Sequence, residues 1–172
     1  MKVLEIGGQP LPKAQVIWPD AAVEHMNIDK DFEPDHLCDA ANPPEKLNEQ
    51  FDAVFASHIL EHVPYFQAGP VIGKWKNLLK TGGELHVIVP SLEWAARQAL
   101  SPKPSPAMLP HLFAGLTTPY DVHNVMFTMP FLRQLFQLNG FHVKRARTGP
   151  YVIMVNDVEY EADQHYVMGE KQ

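Results

Sequence analysis

The chain has 172 residues, 45% of them hydrophobic and 20% charged, and a formal net charge of −6. That is enough for one domain with a real core, it excludes a disordered or fibrous chain, and its acidic excess repels phosphate backbones, which argues against general nucleic-acid binding. No apolar run approaches the ~18 residues of a membrane span, Glu5 interrupts any apolar leader, and the single Cys38 can neither close an internal disulfide nor build a Cys-rich zinc site; a cytoplasmic enzyme or binding domain is expected.

In chain order, residues 3–6 read as a buried strand that stops at Gly7-Gly8, and 25–28 as a shorter one that stops at Asp29. Residues 51–56 and 84–89 are further apolar runs. A helix is predicted over 72–80, where Trp75, Leu78 and Leu79 fall at helical spacing and Gly82-Gly83 closes the end. A second helix, 130–138, has proline at its start and Asn139-Gly140 at its end. Residues 141–147 and 151–155 flank Thr148-Gly149-Pro150 and read as a hairpin. Sixteen prolines, about twice the usual share, punctuate the chain, and Ser101-Pro102-Lys103-Pro104-Ser105-Pro106 reads as a stiff loop.

Near-continuous apolar strands alternating with helices imply a mainly parallel sheet covered on both faces. The expected fold is therefore α/β and doubly wound, with a C-terminal antiparallel hairpin, in one domain over residues 1–172 with an insertion at about 101–129. In such sheets ligands bind beyond the carboxyl ends of the strands, which directs attention to Gly7-Gly8, Asp29, the stretch around Asp39, and Ser57-His58. The first loop does not satisfy G-x-G-x-x-G, because Gln9 stands two after Gly7, and Pro10 and Pro12 disfavour a long helix with free amides there. Asp29 follows Gly7 by 22 residues, near the ~20-residue offset of an acid that accepts both ribose hydroxyl protons; it equally suits the start of a surface turn.

Taken together these segments resemble small class I S-adenosylmethionine-dependent methyltransferases. The resemblance lies in Val3-Leu4-Glu5-Ile6-Gly7-Gly8, in Val23 to Asp29, in Phe51 to His62, in Trp75 to Leu85 with Thr81 where the family has proline, and in Phe131 to Phe141. It covers most of residues 2–155 in the right order and implies a Rossmann-like methyltransferase fold with S-adenosylmethionine as cofactor. Residue by residue, it implies that Glu5 is the acid of the first motif and that Gly7-Gly8 leave room for the methionine part. Asp29 would hold the ribose hydroxyls, Asp39 the adenine amino group, and the Ala40 amide a ring nitrogen. Ser57 and His58 would line the pocket beside the sulfonium. The family's third glycine and following helix are replaced here by a proline-rich link.

The implied activity is methyl transfer to a small-molecule oxygen or nitrogen acceptor; the alternative is a non-catalytic domain that keeps the fold as a binding or regulatory module. An acceptor hydroxyl gains from a base, and histidine titrates near neutrality. His58 and His62 follow the fourth strand, whereas Tyr120 and His123 belong to the segment expected to cover the acceptor, so His58, His123 and Tyr120 are the catalytic candidates. Tyr120-Asp121-Val122-His123 also reads as a polar turn, Asp39 as a helix N-cap, and Lys144, Arg145 and Arg147 as a solvated edge strand. His58-Ile59-Leu60-Glu61-His62 spells H-x-x-E-H, a zinc-peptidase pattern. That pattern needs a helix carrying both histidines, a third ligand and a much larger fold, so no metal site is expected.

Overall fold

The computed structural model describes residues 1–7, 13–116 and 118–172. A seven-stranded sheet forms the frame, in the order β3-β2-β1-β4-β5-β7-β6. β1 (Lys2–Ile6), β2 (Ala22–Asn27), β3 (His36–Leu37), β4 (Phe51–Ser57) and β5 (Leu79–Pro90) run parallel, and β6 (Phe141–Val155) and β7 (Val158–Lys171) add an antiparallel hairpin. The helices are α1 (Lys13–Ile17), α2 (Ala68–Leu78), α3 (Leu92–Ala99), α4 (Met108–Phe113) and α5 (Met129–Leu138). The α/β sheet with its closing hairpin is thus the one expected. No helix among the described residues is long and apolar enough to cross a membrane.

Strand alternation divides the core. Leu4, Ile6, Val54, Ala56, Leu85 and Val87 face α2 and α5, where they meet Ile72, Trp75, Leu132 and Phe136. The intervening Val3, Ala53 and Phe55 face Ala14 and Trp18 on the other side. A third cluster packs Trp94 and Ala95 of α3, with Ala107 and Leu112, against Tyr151, Ile153 and Ala162 of the hairpin.

Four boundaries differ from the sequence reading. The hairpin does not turn at 148–150: β6 runs unbroken through Gly149 and Pro150, which pair with Gln164 and Asp163. β6 is the sheet's edge strand, where a proline costs no ladder hydrogen bond on the open side. The turn falls at Asn156 and Asp157, both left-handed at φ +50 and +61, as a two-residue hairpin loop requires. The helix predicted over 72–80 spans Ala68–Leu78 instead, and Leu79 is already extended. Gly82 and Gly83 lie inside β5 where its register with β4 shifts, Phe51 pairing with Leu79 but Ala53 with Glu84, so Gly82's φ of +75 serves a bulge rather than a helix end. The strand predicted over 25–28 begins at Ala22 and ends at Asn27. α5 opens one residue early, at Met129, because Thr128 Oγ1 accepts the Phe131 amide at 3.3 Å.

Candidate functional site

The carboxyl ends of β1, β2, β3 and β4 deliver Gly7, Asp29, Asp39 and Ser57 to one end of four neighbouring parallel strands. Gly7 has φ +74, and a Cβ there would stand 2.0 Å from Ile59 Cδ1, so only glycine fits. Glu5 is buried, and its carboxylate accepts the amides of Lys13 and Ala14, each at 3.1 Å, tying the start of α1 to β1. Gly8 lies outside the described residues, as do Gln9 to Pro12.

Asp29 Oδ1 accepts the Asp31 amide at 2.9 Å and caps a 3₁₀ turn, while its own amide donates to Asn27 Oδ1 at 3.0 Å. Its surface-turn role is therefore real, and it uses one carboxylate oxygen. Asp39 accepts the Ala41 amide at 2.8 Å and the Asn42 amide group at 3.2 Å. It caps a turn rather than a helix. The Ala40 carbonyl accepts Trp75 Nε1–H at 2.8 Å, and Lys74 Nζ donates to the Ala41 carbonyl at 2.8 Å, so α2 holds the turn after β3 from below.

Beyond β4 a cleft of about 380 Å³ opens, lined by Lys13, Phe55, Ser57, His58, Ile88, Tyr151 and Gln164, with Val16 and Ile17 at its rim. His58 adopts a left-handed backbone, φ +58, and its amide donates to the Ile88 carbonyl at 2.9 Å. This turn aims the imidazole between β7 and the segment that follows β4. Its Nε2 meets Gln164 Oε1 at 2.9 Å, its ring packs 4.9 Å from that of Tyr151, and its Nδ1 stands 3.4 Å from Glu61 Oε1.

Glu61 is completely buried, and neither carboxylate oxygen has a hydrogen-bond partner among the described residues. Burial disfavours an imidazolium at His58, yet the Glu61 carboxylate and the Gln164 amide oxygen outweigh it and hold His58 above the usual histidine range. Burial likewise opposes the charge on Glu61, and the attraction of His58 and His62 brings its pKa below the usual carboxylate range.

His123 sits within the same cluster. Its Nδ1 bonds the His111 carbonyl at 3.0 Å, its Nε2 lies 3.9 Å from Glu61 Oε1, and its side chain is 8% exposed. Burial pushes its pKa down. His62 Nδ1 bonds the Val122 carbonyl at 3.0 Å. His111 is buried beneath, Nε2 on the Ser91 carbonyl at 2.8 Å and Nδ1 on Tyr151 Oη at 2.9 Å. The carbonyl requires a proton on Nε2, so Nδ1 accepts from Tyr151 and the ring is neutral; burial takes its pKa down to about 4. Burial also raises the Tyr151 phenol.

Of the catalytic candidates, the fold brings His58 and His123 around one buried carboxylate, and only His58 lines the cleft. Tyr120 is 60% exposed on a turn, its amide bonded to Thr118 Oγ1, and is not part of the cluster. Sequence reasoning missed Tyr151 and Gln164, since no strand was read beyond residue 155 and position 151 was assigned only to a hairpin.

No protein-family model matches the chain, and no curated protein matches it in sequence. Solved structures do match in fold. An S-adenosylmethionine-dependent methyltransferase from Methanosarcina mazei aligns over 99% of this chain and 92% of its own, with a TM-score of 0.69 at 15% identity. One from Archaeoglobus fulgidus aligns over 99% and 86%, with a TM-score of 0.63 at 14% identity. A structure concerned with the conversion of a disulfide bond into a thioacetal group during echinomycin biosynthesis aligns over 100% and 76%, with a TM-score of 0.71 at 14% identity. The chain therefore has the fold of S-adenosylmethionine-dependent methyltransferases.

Proposed function

We propose that the protein is an S-adenosylmethionine-dependent methyltransferase acting on a small-molecule oxygen or nitrogen acceptor. The observation that carries this reading is the strand order with its antiparallel β7, matched along nearly the whole chain by proteins of that activity. The residues present fit the cofactor. Gly7 ends β1 with bare backbone at a left-handed φ of +74, Asp29 uses only one carboxylate oxygen on the turn it caps, and Asp39 is exposed just past the end of β3.

In this reading Gly7 and Gly8 pass beneath the methionine part, Asp29 accepts from the ribose hydroxyls, and Asp39 and the Ala40 amide meet the adenine. Ser57 and His58 stand beside the reacting end. Bound S-adenosylmethionine supplies an electrophilic methyl group on its sulfonium sulfur. What the chain must add is alignment of the acceptor, which supplies several kcal/mol of a barrier by itself. His58, fixed by Gln164 and Glu61 at the cleft wall, is the residue set to orient the acceptor. The cleft has the volume of a small-molecule site, at the lower end of the range of about 300–1,000 Å³, and the charge of −6 disfavours a polyanionic acceptor. The constellation of His58, His62 and His123 around the buried Glu61 favours an enzyme over a silent binding module.

Calorimetric titration with S-adenosylmethionine and its demethylated product tests the reading. Asp29→Asn keeps an acceptor for the Asp31 amide but loses the charge offered to the ribose, and hydrogen bonds to charged groups are worth about 1.5–3 kcal/mol. It should weaken binding at least tenfold with the fold intact. Absence of binding at millimolar cofactor, or unchanged affinity in Asp29→Asn, refutes the assignment.

A further inference from the structure

A fully buried carboxylate with two unpartnered oxygens is an unstable arrangement unless something positive meets it. Around Glu61 the neighbours are imidazoles, and their tautomers can be read from what they touch. His62 uses Nδ1 on the Val122 carbonyl and His123 uses Nδ1 on the His111 carbonyl. A carbonyl only accepts, so each Nδ1 carries a proton, and in the neutral ring, the form that binds a metal, Nε2 is the nitrogen with the lone pair. His123 Nε2 is thereby directed to within 3.9 Å of Glu61 Oε1, lone pair toward carboxylate. An imidazolium at His58 answers this from one side alone, at Oε1 and 3.4 Å. It leaves Oε2 without a hydrogen-bond partner among the described residues.

We propose that Glu61, His62 and His123 bind a single divalent transition-metal ion of the Zn²⁺ class. One atom from each of the three lies within 4.8 Å of the others. Zinc bonds of about 2.0–2.1 Å put tetrahedral ligands roughly 3.4 Å apart, so ligand atoms within 4.8 Å of one another close by at most about 1.4 Å on the ion. Two imidazoles and one carboxylate suit a borderline first-row ion rather than Mg²⁺ or Ca²⁺, which take oxygen shells. The carbonyls of Val122 and His111 are the outer partners that a ligating histidine needs to fix its ring.

The backbone holds the two halves of the site together. The Asn124 and Val125 amides both donate to the Glu61 carbonyl, at 2.7 and 3.2 Å, and Asn124 Nδ2 donates to the His62 carbonyl at 2.7 Å. This is the third ligand that the H-x-x-E-H spacing lacks in the sequence, and the first histidine of the pattern is not needed for it. Three protein ligands leave a coordination position open, as in catalytic rather than structural zinc sites. The site stands beside His58 at the cleft, and it rests on this cluster alone, independently of methyl transfer.

The test is metal binding, read without turnover. Full-length protein stripped with a chelator is titrated with Zn²⁺ against a competing chromophoric chelator. One equivalent should bind, and His62→Ala and His123→Ala should each weaken it at least 100-fold. His36→Ala, which removes a histidine paired with Glu24 at the far edge of the sheet, should leave it unchanged. Co²⁺ added to the stripped wild type should give visible absorption bands of a four- or five-coordinate nitrogen–oxygen site, a readout that survives if a variant fails to fold. Failure to bind stoichiometric Zn²⁺ at micromolar concentration, equal affinity in folded His62→Ala and His123→Ala, or absent Co²⁺ bands would each overturn the proposal.

Discussion

Glu5 should be among the most costly side chains to remove, for reasons that can be worked from its surroundings. It is 3% exposed, and its two oxygens accept the Lys13 and Ala14 amides at 3.1 Å, the second of these bonds being fully buried. Hydrogen bonds to a charged group contribute about 1.5–3 kcal/mol each. Glu5→Ala removes both and strands the Ala14 N–H away from water, so stability should fall by roughly 3–5 kcal/mol. For a chain of this length, unfolding entropy scales to about 0.36 kcal/mol per degree, which makes the expected drop in midpoint roughly 8–14 °C. Glu5→Gln keeps one acceptor but sets an amide N–H against the other backbone donor, so it should recover less than half the loss. α1 carries Lys13, Val16 and Ile17 of the cleft, and both variants should bind S-adenosylmethionine more weakly than their stability alone explains. Urea unfolding followed by far-ultraviolet circular dichroism reads the first effect and calorimetry the second. A Glu5→Ala protein within 1 kcal/mol of wild type would refute the reasoning, because two bonds to a buried carboxylate cannot be removed so cheaply.

Three further outcomes follow from single contacts. Gly7→Ala, with φ +74 and Ile59 carbons at 2.0 and 2.7 Å from the new methyl, should cost roughly 2–4 kcal/mol in urea unfolding, and adding Ile59→Ala should restore only the steric part. Trp75→Phe removes the Nε1–H bond to the Ala40 carbonyl; a loss of about 1–3 kcal/mol is expected, with weaker cofactor binding because the turn after β3 loses its support. Burial opposes the charge on Glu93, but the Met129 amide and His165 outweigh it and hold its pKa low. A depressed carboxylate contributes stability that is present above its unfolded pKa near 4.5 and lost as pH falls through the folded value. The stability difference between wild type and Glu93→Gln, measured by urea unfolding from pH 7 to pH 3, should therefore shrink toward the acid end. A constant difference would mean that Glu93 acts only as a neutral acceptor.

The central strands were legible in the sequence because burial on both faces writes them as short, nearly unbroken apolar runs, as in residues 3–6, 51–56 and 84–89. β7 was not legible, although it occupies 14 residues. Its buried side changes along its length: Ala162 faces the α3–α4 cluster, whereas Val167, of opposite parity, joins the core under α5. No single period of two describes such a strand. The same strand explains the misplaced turn. Thr148-Gly149-Pro150 carries strong turn residues, but the open edge of β6 tolerates them, and pairing with fourteen residues of β7 outweighs a local preference. Two-residue β3 has too little sequence to signal anything; it exists because Met26 and Asn27 offer it a ladder.

At the site the contrast is between residues that follow strands and residues that reach across the fold. Asp29 and Ser57 could be found because the ends of parallel strands are where ligands gather and their strands could be read, whereas Asp39 follows the unreadable β3 and came from the family resemblance. The buried cluster could not be found that way. His62 and His123 are 61 positions apart, and what joins them is a pair of backbone amides on the Glu61 carbonyl and one asparagine side chain. None of those bonds has a pattern in the sequence. Gln164, which fixes the His58 ring, comes from the strand that was not read at all. Each imidazole is oriented by an oxygen from a different part of the chain: Val122, His111, Ser91 and Gln164. A histidine motif therefore states which side chains are available, and the distant oxygens decide which nitrogen is left to act. In this chain they occupy Nδ1 of His62 and of His123, leaving Nε2 as the free nitrogen of each beside Glu61, and they leave His58 at the wall of the cleft.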